Sequence, residues 1–283
     1  MFERGDLVGL ALVAAAVLWT FVAATSGGDP WPMVGMFVLV AAAYAFGRMA
    51  TPAAPFLVPV LVVTVAIVLG LLTLVGALPE GADAPPLGYV NARSAFFVVA
   101  AAAAVMLALL VRGRGGRIFV LAMAAGLAAV PLFSRSHAAS FVVVLLLPSA
   151  AAIALEGRRL AVAVGLSAML LMATLAATSL VAAAPGSEPA RLVGEVVGKR
   201  RVALWHDALD LMVQEPLTGV GPGRFAAEAA TAQTDFDARW AHHGFLQQGA
   251  ETGLVGLGLL VVLFLWGFWR LVLAGPSGMA VMG

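Results

Sequence analysis

The chain alternates long apolar blocks with short polar connections, and only one polar interval, Arg200 to Gly256, is long. Uncharged apolar runs occupy residues 7–25, 33–47, 56–77, 95–111, 118–133, 141–155, 160–183 and 254–269. A bilayer core takes roughly 20 apolar helical residues, so these runs predict about eight transmembrane helices, several of them short. The fold class expected is all-α, a polytopic transmembrane helical bundle with a large helical extracytoplasmic loop. Seven helices are expected over 1–183, the loop over 184–252, and an eighth helix with a short tail over 253–283.

Within the polar interval the pattern changes twice. Val202, Trp205, Leu209 and Met212 recur at helical spacing, with Asp207, Asp210 and Gln214 on other faces. That predicts an amphipathic helix lying on the bilayer surface. Pro216 ends it, and PLTGVGPGRF follows with Gly219, Gly221 and Gly223 at alternate positions. The spacing favours a hairpin between two outer helices. Its amides could also face an anion, but there is no Walker lysine-serine pair and no dinucleotide fingerprint. RWAHHGFLQQGAETGLVG then leads into the eighth run. Read as one helix, it places His242, Phe245, Leu246, Gly249, Gly253 and Gly256 on one stripe, with His243 about 100° away.

Composition agrees with the pattern: 62% of residues are hydrophobic and 11% are charged. This is the balance of an integral membrane protein, since soluble chains are about a quarter charged. The absence of cysteine excludes disulfides, thiolate metal sites and a cysteine nucleophile. The first apolar run follows Arg4 but lacks a small-residue cleavage signature, so it reads as a retained helix.

Charge placement orients the chain. Arg4, Arg48, Arg112, Arg114, Arg117, Arg158, Arg159 and Arg270 fall on one side, against Arg93 and Arg135 in short loops on the other. By the positive-inside tendency the N-terminus is cytoplasmic and 184–252 lies outside. None of the runs contains Asp, Glu, Lys or Arg, which argues against an ion-coupled transporter or an exporter with a polar path. Lys199, Arg200 and Arg201 crowd the start of the amphipathic helix, where the helix dipole disfavours cations. Lipid phosphates or a phosphorylated substrate would balance them.

Two further outer features stand out: GYVNA, with Asn91, and FSRSHAA, with Arg135 and His137 in a very short turn. Together with RRVALWHDALDLMVQEPLTGVGPGRF and HHGFLQQGAETGLVG, these motifs resemble the O-antigen ligase and O-antigen polymerase superfamily of bacterial membrane glycosyltransferases. The two long motifs carry the resemblance across about sixty residues, in order and in one loop. It implies transfer of a glycan from a polyprenyl diphosphate carrier to an acceptor sugar or lipid, at the outer face of the bacterial cytoplasmic membrane.

Carried over by position, Arg135 and Arg201 match arginines that hold the carrier diphosphate, and His242 matches the histidine that activates the acceptor. Arg200, Trp205, Gly221, Gly223, Arg224, His243 and Asn91 match substrate-binding positions. Guanidinium groups suit a diphosphate because their charge is permanent and their donors are directed. A neutral imidazole suits a hydroxyl proton near neutral pH.

The expected partners are the lipid-linked glycan donor, an acceptor and membrane lipids, with no nucleic acid, no metal and no cofactor. His243 stands where the family usually has Asn, so either imidazole could be the base, and the stripe favours His242. The chain also stops soon after its eighth run, where the family continues, which predicts a truncated product. A non-catalytic protein of glycan assembly is the alternative reading, and a polysaccharide exporter or flippase a more distant one. Ligation and polymerisation share the donor chemistry and are not distinguished.

Overall fold

The computed structural model describes residues 3–50, 56–75, 90–133, 169, 172–174, 176–184, 186–235 and 238–280. Among these residues there are helices and turns and no strand. In chain order the helices are α1 (Arg4–Ala23), α2 (Trp31–Ala50), α3 (Leu57–Leu74), α4 (Val90–Leu110), α5 (Arg114–Phe133) and α6 (Met172–Ala183). They continue as α7 (Glu188–Val197), α8 (Lys199–Gln214), the short α9 (Phe225–Glu228) and α10 (Ala230–Thr234), and α11 (Gly244–Ala280). Two compact units divide the chain, 1–45 with 168–270 and 46–167 with 271–283.

Three stretches are long and apolar enough to cross a membrane: Arg4–Ser26, Trp31–Met49 and Gly244–Gly267. Leu57–Thr73, Phe96–Val105 and Met172–Ala183 are shorter apolar helices, and the run expected at 141–155 lies outside the described residues. Leu18, Leu39 and Phe119 each expose about two thirds of their surface, at 67%, 70% and 66%. A helix that turns large apolar side chains outward along its length is covered by lipid, not water. The chain is an all-helical membrane protein in its described part.

In the second unit α4 packs on both α3 and α5. Its buried face is alanine, at Ala100, Ala101, Ala104 and Ala108, and it meets Val63 and Ala66 on one side and Val120 and Ala124 on the other. Small side chains let helix backbones approach closely where lipid removes the hydrophobic drive for association.

In the first unit α1 starts with a capping box, in which Glu3 N–H donates to Asp6 at 2.7 Å. Its buried positions Asp6, Gly9, Val13, Ala16, Thr20 and Ala23 step by three or four, the spacing of one face. That face lies along α11. Trp19 donates its indole N–H to the Thr252 carbonyl at 2.8 Å, and Trp266 donates to the Gly5 carbonyl at 2.9 Å. These contacts fix an antiparallel pair, and each partner is crossed over a span of about 21 Å at the helical rise.

Near the Trp266 end, Asp6 is fully buried and accepts from Arg270 at 2.9 Å and from the Tyr44 hydroxyl. A buried carboxylate is acceptable when a cation and a hydroxyl donor both reach it. The apolar run read from residue 7 onward hides this cluster, because Asp6 stands one position before it.

Candidate functional site

At the Trp19 end three segments interlock: the 26–29 turn after α1, the 216–224 hairpin after α8, and the 250–254 segment of α11. Val220 N–H donates to the Ala250 carbonyl at 2.9 Å, Gly221 N–H to the Glu251 carbonyl at 3.1 Å, and Leu254 N–H to the Pro216 carbonyl at 2.8 Å. Asp29 N–H donates to the Pro222 carbonyl at 3.0 Å, and Arg224 reaches the Ser26 carbonyl at 3.1 Å while pairing with Glu228. The glycines are needed for this close approach. Gly221 has φ 106°, and a Cβ there would stand 2.1 Å from the Gly27 carbonyl oxygen. Gly253, inside α11, has φ 69° and would meet the Leu217 carbonyl oxygen at 2.0 Å.

The hairpin reading of PLTGVGPGRF therefore holds, and its amides face the protein's own acceptors. Gly223 N–H donates to the Glu251 carboxylate at 2.9 Å. Glu251, only 4% exposed, also accepts from Gln247 at 3.1 Å, whose amide oxygen accepts from Ala241 N–H at 3.2 Å. An internal carboxylate thus occupies the place where an external anion was conceivable. Gly221, Gly223 and Arg224 are placed in this scaffold.

Above the scaffold lies α8. Gly198, with φ 99°, ends α7 and begins α8, so the chain reverses with no linker. The apolar face of α8 presents Val202, Leu204, Trp205, Ala208, Leu211 and Met212, all buried. Most of these join a core with Ala190 of α7, Phe225 of α9, Ala232 of α10 and Leu246 and Ala250 of α11, while Met212 meets Gly249.

This corrects the expectation of a helix lying on the bilayer. Its stripe is covered by protein because α7, α10 and α11 supply enough small and apolar surface to bury it. Asp207 accepts from Thr231 N–H at 2.7 Å and so caps α10 from outside, and His206 contacts the Ala182 carbonyl at 3.0 Å.

The three cations at the start of α8 differ in their surroundings. Arg200 pairs with Asp235 at 2.7 Å across a half-exposed surface. Arg201 is half-buried and has no side-chain hydrogen-bond or ion-pair partner among the described residues. One turn on, Trp205 is 5% exposed, and its indole Nε1–H is buried without a hydrogen-bond partner among the described residues. An unmade bond of this kind costs about 1–3 kcal/mol.

The histidine pair adjoins this face, and here the structure departs from the single-helix reading. α11 begins at Gly244, and His242 precedes it in the left-handed region at φ 54°. His242 is therefore not on the Phe245–Leu246–Gly249 stripe, and the reason given for preferring it falls away. His243 is the N-cap, since its Nδ1 accepts from Leu246 N–H at 3.3 Å.

Because Nδ1 accepts, the ring proton sits on Nε2 and donates to Thr178 Oγ1 at 3.0 Å, and the Thr178 hydroxyl donates in turn to the Thr174 carbonyl at 2.9 Å. The ring stands edge-on to Trp205 at 5.8 Å. Both nitrogens of His243 are thus engaged in holding the neutral form, and burial pushes its pKa down. His242 is exposed, and its pKa is lowered by partial desolvation and then by the charges of Arg201 and Arg200. Near neutral pH it is an uncharged imidazole beside two guanidinium groups.

The structure thus gathers Arg200, Arg201, Trp205, His242 and His243 on one side of α8 and the start of α11. Asn91 falls in the first turn of α4, in the other unit, and Arg135 lies outside the described residues. Thr178 and Glu251 were missed by sequence reasoning. A Gln-x-x-x-Glu pair leading into an apolar run was the available signal for Glu251, and nothing marked Thr178. No protein-family model, curated protein or solved structure matches the chain.

Proposed function

We propose that this chain is a membrane glycosyltransferase that takes its glycan from a polyprenyl-diphosphate carrier, of the O-antigen ligase or polymerase kind, and works at the outer face of a bacterial cytoplasmic membrane. One observation carries the reading: an exposed, neutral His242 stands beside Arg201, a guanidinium left without a partner among the described residues. An acceptor hydroxyl would give its proton to His242 as its oxygen attacks the anomeric carbon. The bond from that carbon to the carrier diphosphate breaks, and the electron pair leaves on the diphosphate. Arg201 stabilises the charge that develops there, a task that the resemblance also assigns to Arg135.

His242 is the preferred base on a ground other than helical register. His243 cannot take a proton on Nδ1 without giving up its cap, whereas the ring of His242 is exposed beside Arg201. The bundle of about eight spans, the cytoplasmic N-terminus and the external 184–252 interval belong to the same proposal.

The test is glycan transfer from a lipid-linked donor in membranes carrying the chain, compared with His242→Ala and Arg201→Ala. Transfer by the wild type that falls at least a hundredfold in both variants, and is unchanged by EDTA, is the expected result. Carrier binding without any transfer would give the non-catalytic reading instead.

A further inference from the structure

Trp205 carries an observation that the proposed reaction does not use. Its indole is the better part of a buried core residue, packed among Leu204, Ala208, Leu246 and Ala250 and edge-on to His243. A phenylalanine would supply the same kind of apolar ring without a donor to satisfy, yet the residue present is a tryptophan whose Nε1–H has no acceptor among the described residues. Buried donors in native structures are almost always paired, so an orphan points to an acceptor that arrives with a ligand.

The surroundings limit what that ligand is. Arg201 stands four positions earlier on the same helical face, with its guanidinium unpartnered among the described residues. Arg200 lies beside it, and α8 begins there with no acidic side chain in its first turn. Apart from the neutral His242, the groups of this face without a partner among the described residues, the Trp205 indole and the Arg201 guanidinium, are donors, which selects a ligand rich in acceptor oxygens and negative charge. A sugar hydroxyl would need an acceptor as well, and the indole and guanidinium provide none.

We propose that Trp205 is a phosphate-binding residue, whose indole N–H donates to an oxygen of the same phosphate group that Arg201 engages. The proposal rests on the donor-diphosphate reading above and adds a neutral, directional donor to the cationic ones. Two sources could present such a phosphate, an isoprenoid diphosphate or the headgroup of an anionic phospholipid.

The measurement uses the full chain in nanodiscs of zwitterionic lipid, with ¹⁵N-labelled tryptophan and farnesyl diphosphate as the probe. Six indole signals are available, one per tryptophan. The signal lost in Trp205→Phe should move downfield on addition of the probe, as a hydrogen bond forms. The same variant should bind the probe about tenfold more weakly, the loss of one bond to a charged acceptor. Its melting temperature without ligand should be equal to or above that of the wild type, because the orphan donor is gone.

Should Trp205→Phe fail to fold, the signal is assigned by substituting the other five tryptophans in turn, and its shift still decides. Wild-type binding that survives unchanged in Trp205→Phe, with an indole signal that does not move, overturns the proposal and leaves the glycosyltransferase reading intact. No binding of the probe by the wild type overturns both. A shift produced equally by phosphatidylglycerol in the disc, without the probe, assigns the phosphate to a lipid headgroup and overturns the link to the donor.

Discussion

Gly223 donates its amide to the Glu251 carboxylate at 2.9 Å, so the glycine hairpin is closed on a side chain of the long apolar helix α11. Glu251 is buried and holds Gln247 as well, which connects the hairpin to the turn that carries the histidines. Removing the carboxylate would leave the Gly223 N–H buried without its acceptor. Glu251→Ala should therefore destabilise the protein by about 2–3 kcal/mol. Glu251→Gln keeps an acceptor oxygen and should lose distinctly less. Thermal unfolding in detergent compares the two, and equal losses would remove Glu251 from this role.

Gly253 and Gly258 lie in the same helix and make a matched pair. Gly253 has φ 69° and no room for a Cβ, whereas Gly258 is exposed, with nothing within 4 Å of an added Cβ. Gly253→Ala combines a left-handed backbone with a clash against the Leu217 carbonyl, and a loss of about 2–4 kcal/mol is expected. Gly258→Ala should be neutral or gain about 0.5–1 kcal/mol. Similar melting temperatures for the two would show that α11 runs straight through Gly253.

The sequence shows the helical class and the position of the polar interval clearly, because apolar run length is a strong and local signal. It places Arg201, Trp205 and the histidine pair in one loop for the same reason. It does not show which histidine is exposed and which is the cap. The break at His242 and the cap at His243 depend on Thr178, sixty-five residues away, and on a left-handed residue that a helical wheel cannot register. Nor does spacing reveal that the α8 stripe is covered, since an amphipathic face looks alike whether lipid or protein lies against it.

The placement of 184–252 outside the membrane is tested by labelling single cysteines in this cysteine-free chain. Ser187 is unsuitable, because its side chain caps α7 by accepting from Ala190 N–H at 3.3 Å. Gly186 and Gly115 are exposed and have nothing within 4 Å of an added Cβ. Gly186→Cys should react with an impermeant reagent in intact cells, and Gly115→Cys should not. The opposite pattern inverts the proposed topology.

Acid should weaken the fold through the histidines. Both have pKa values lowered in the native protein, so between that lowered value and the unfolded value of about 6.5 the unfolded chain binds more protons. Stability then rises with pH across this window and falls as pH drops from about 6.5 downward. His243 is the one of the two whose ring nitrogens are both engaged in the native fold. His243→Asn keeps a side chain suited to an N-cap and removes the titration. Its melting temperature should depend less on pH than that of the wild type between about pH 7 and 5. An unchanged slope would place the acid sensitivity elsewhere.

The most specific expectation concerns the backbone of His242. A non-glycine residue in the left-handed region costs about 1–2 kcal/mol, and such strain persists where the side chain has a task. His242→Gly relieves the strain and should keep or raise the melting temperature, by the equivalent of up to about 1 kcal/mol. If His242 is the base, the same change lowers transfer by a hundredfold to ten-thousandfold, as roughly expected for loss of general-base catalysis. Carrier binding, which the proposal assigns to Arg201 and Trp205, should survive. His243→Asn supplies the contrast, with transfer close to wild type because the cap is retained. A stable His242→Gly protein with full transfer would end the general-base assignment. Loss of transfer in His243→Asn with His242→Gly active would move the base to His243, despite both of its nitrogens being engaged.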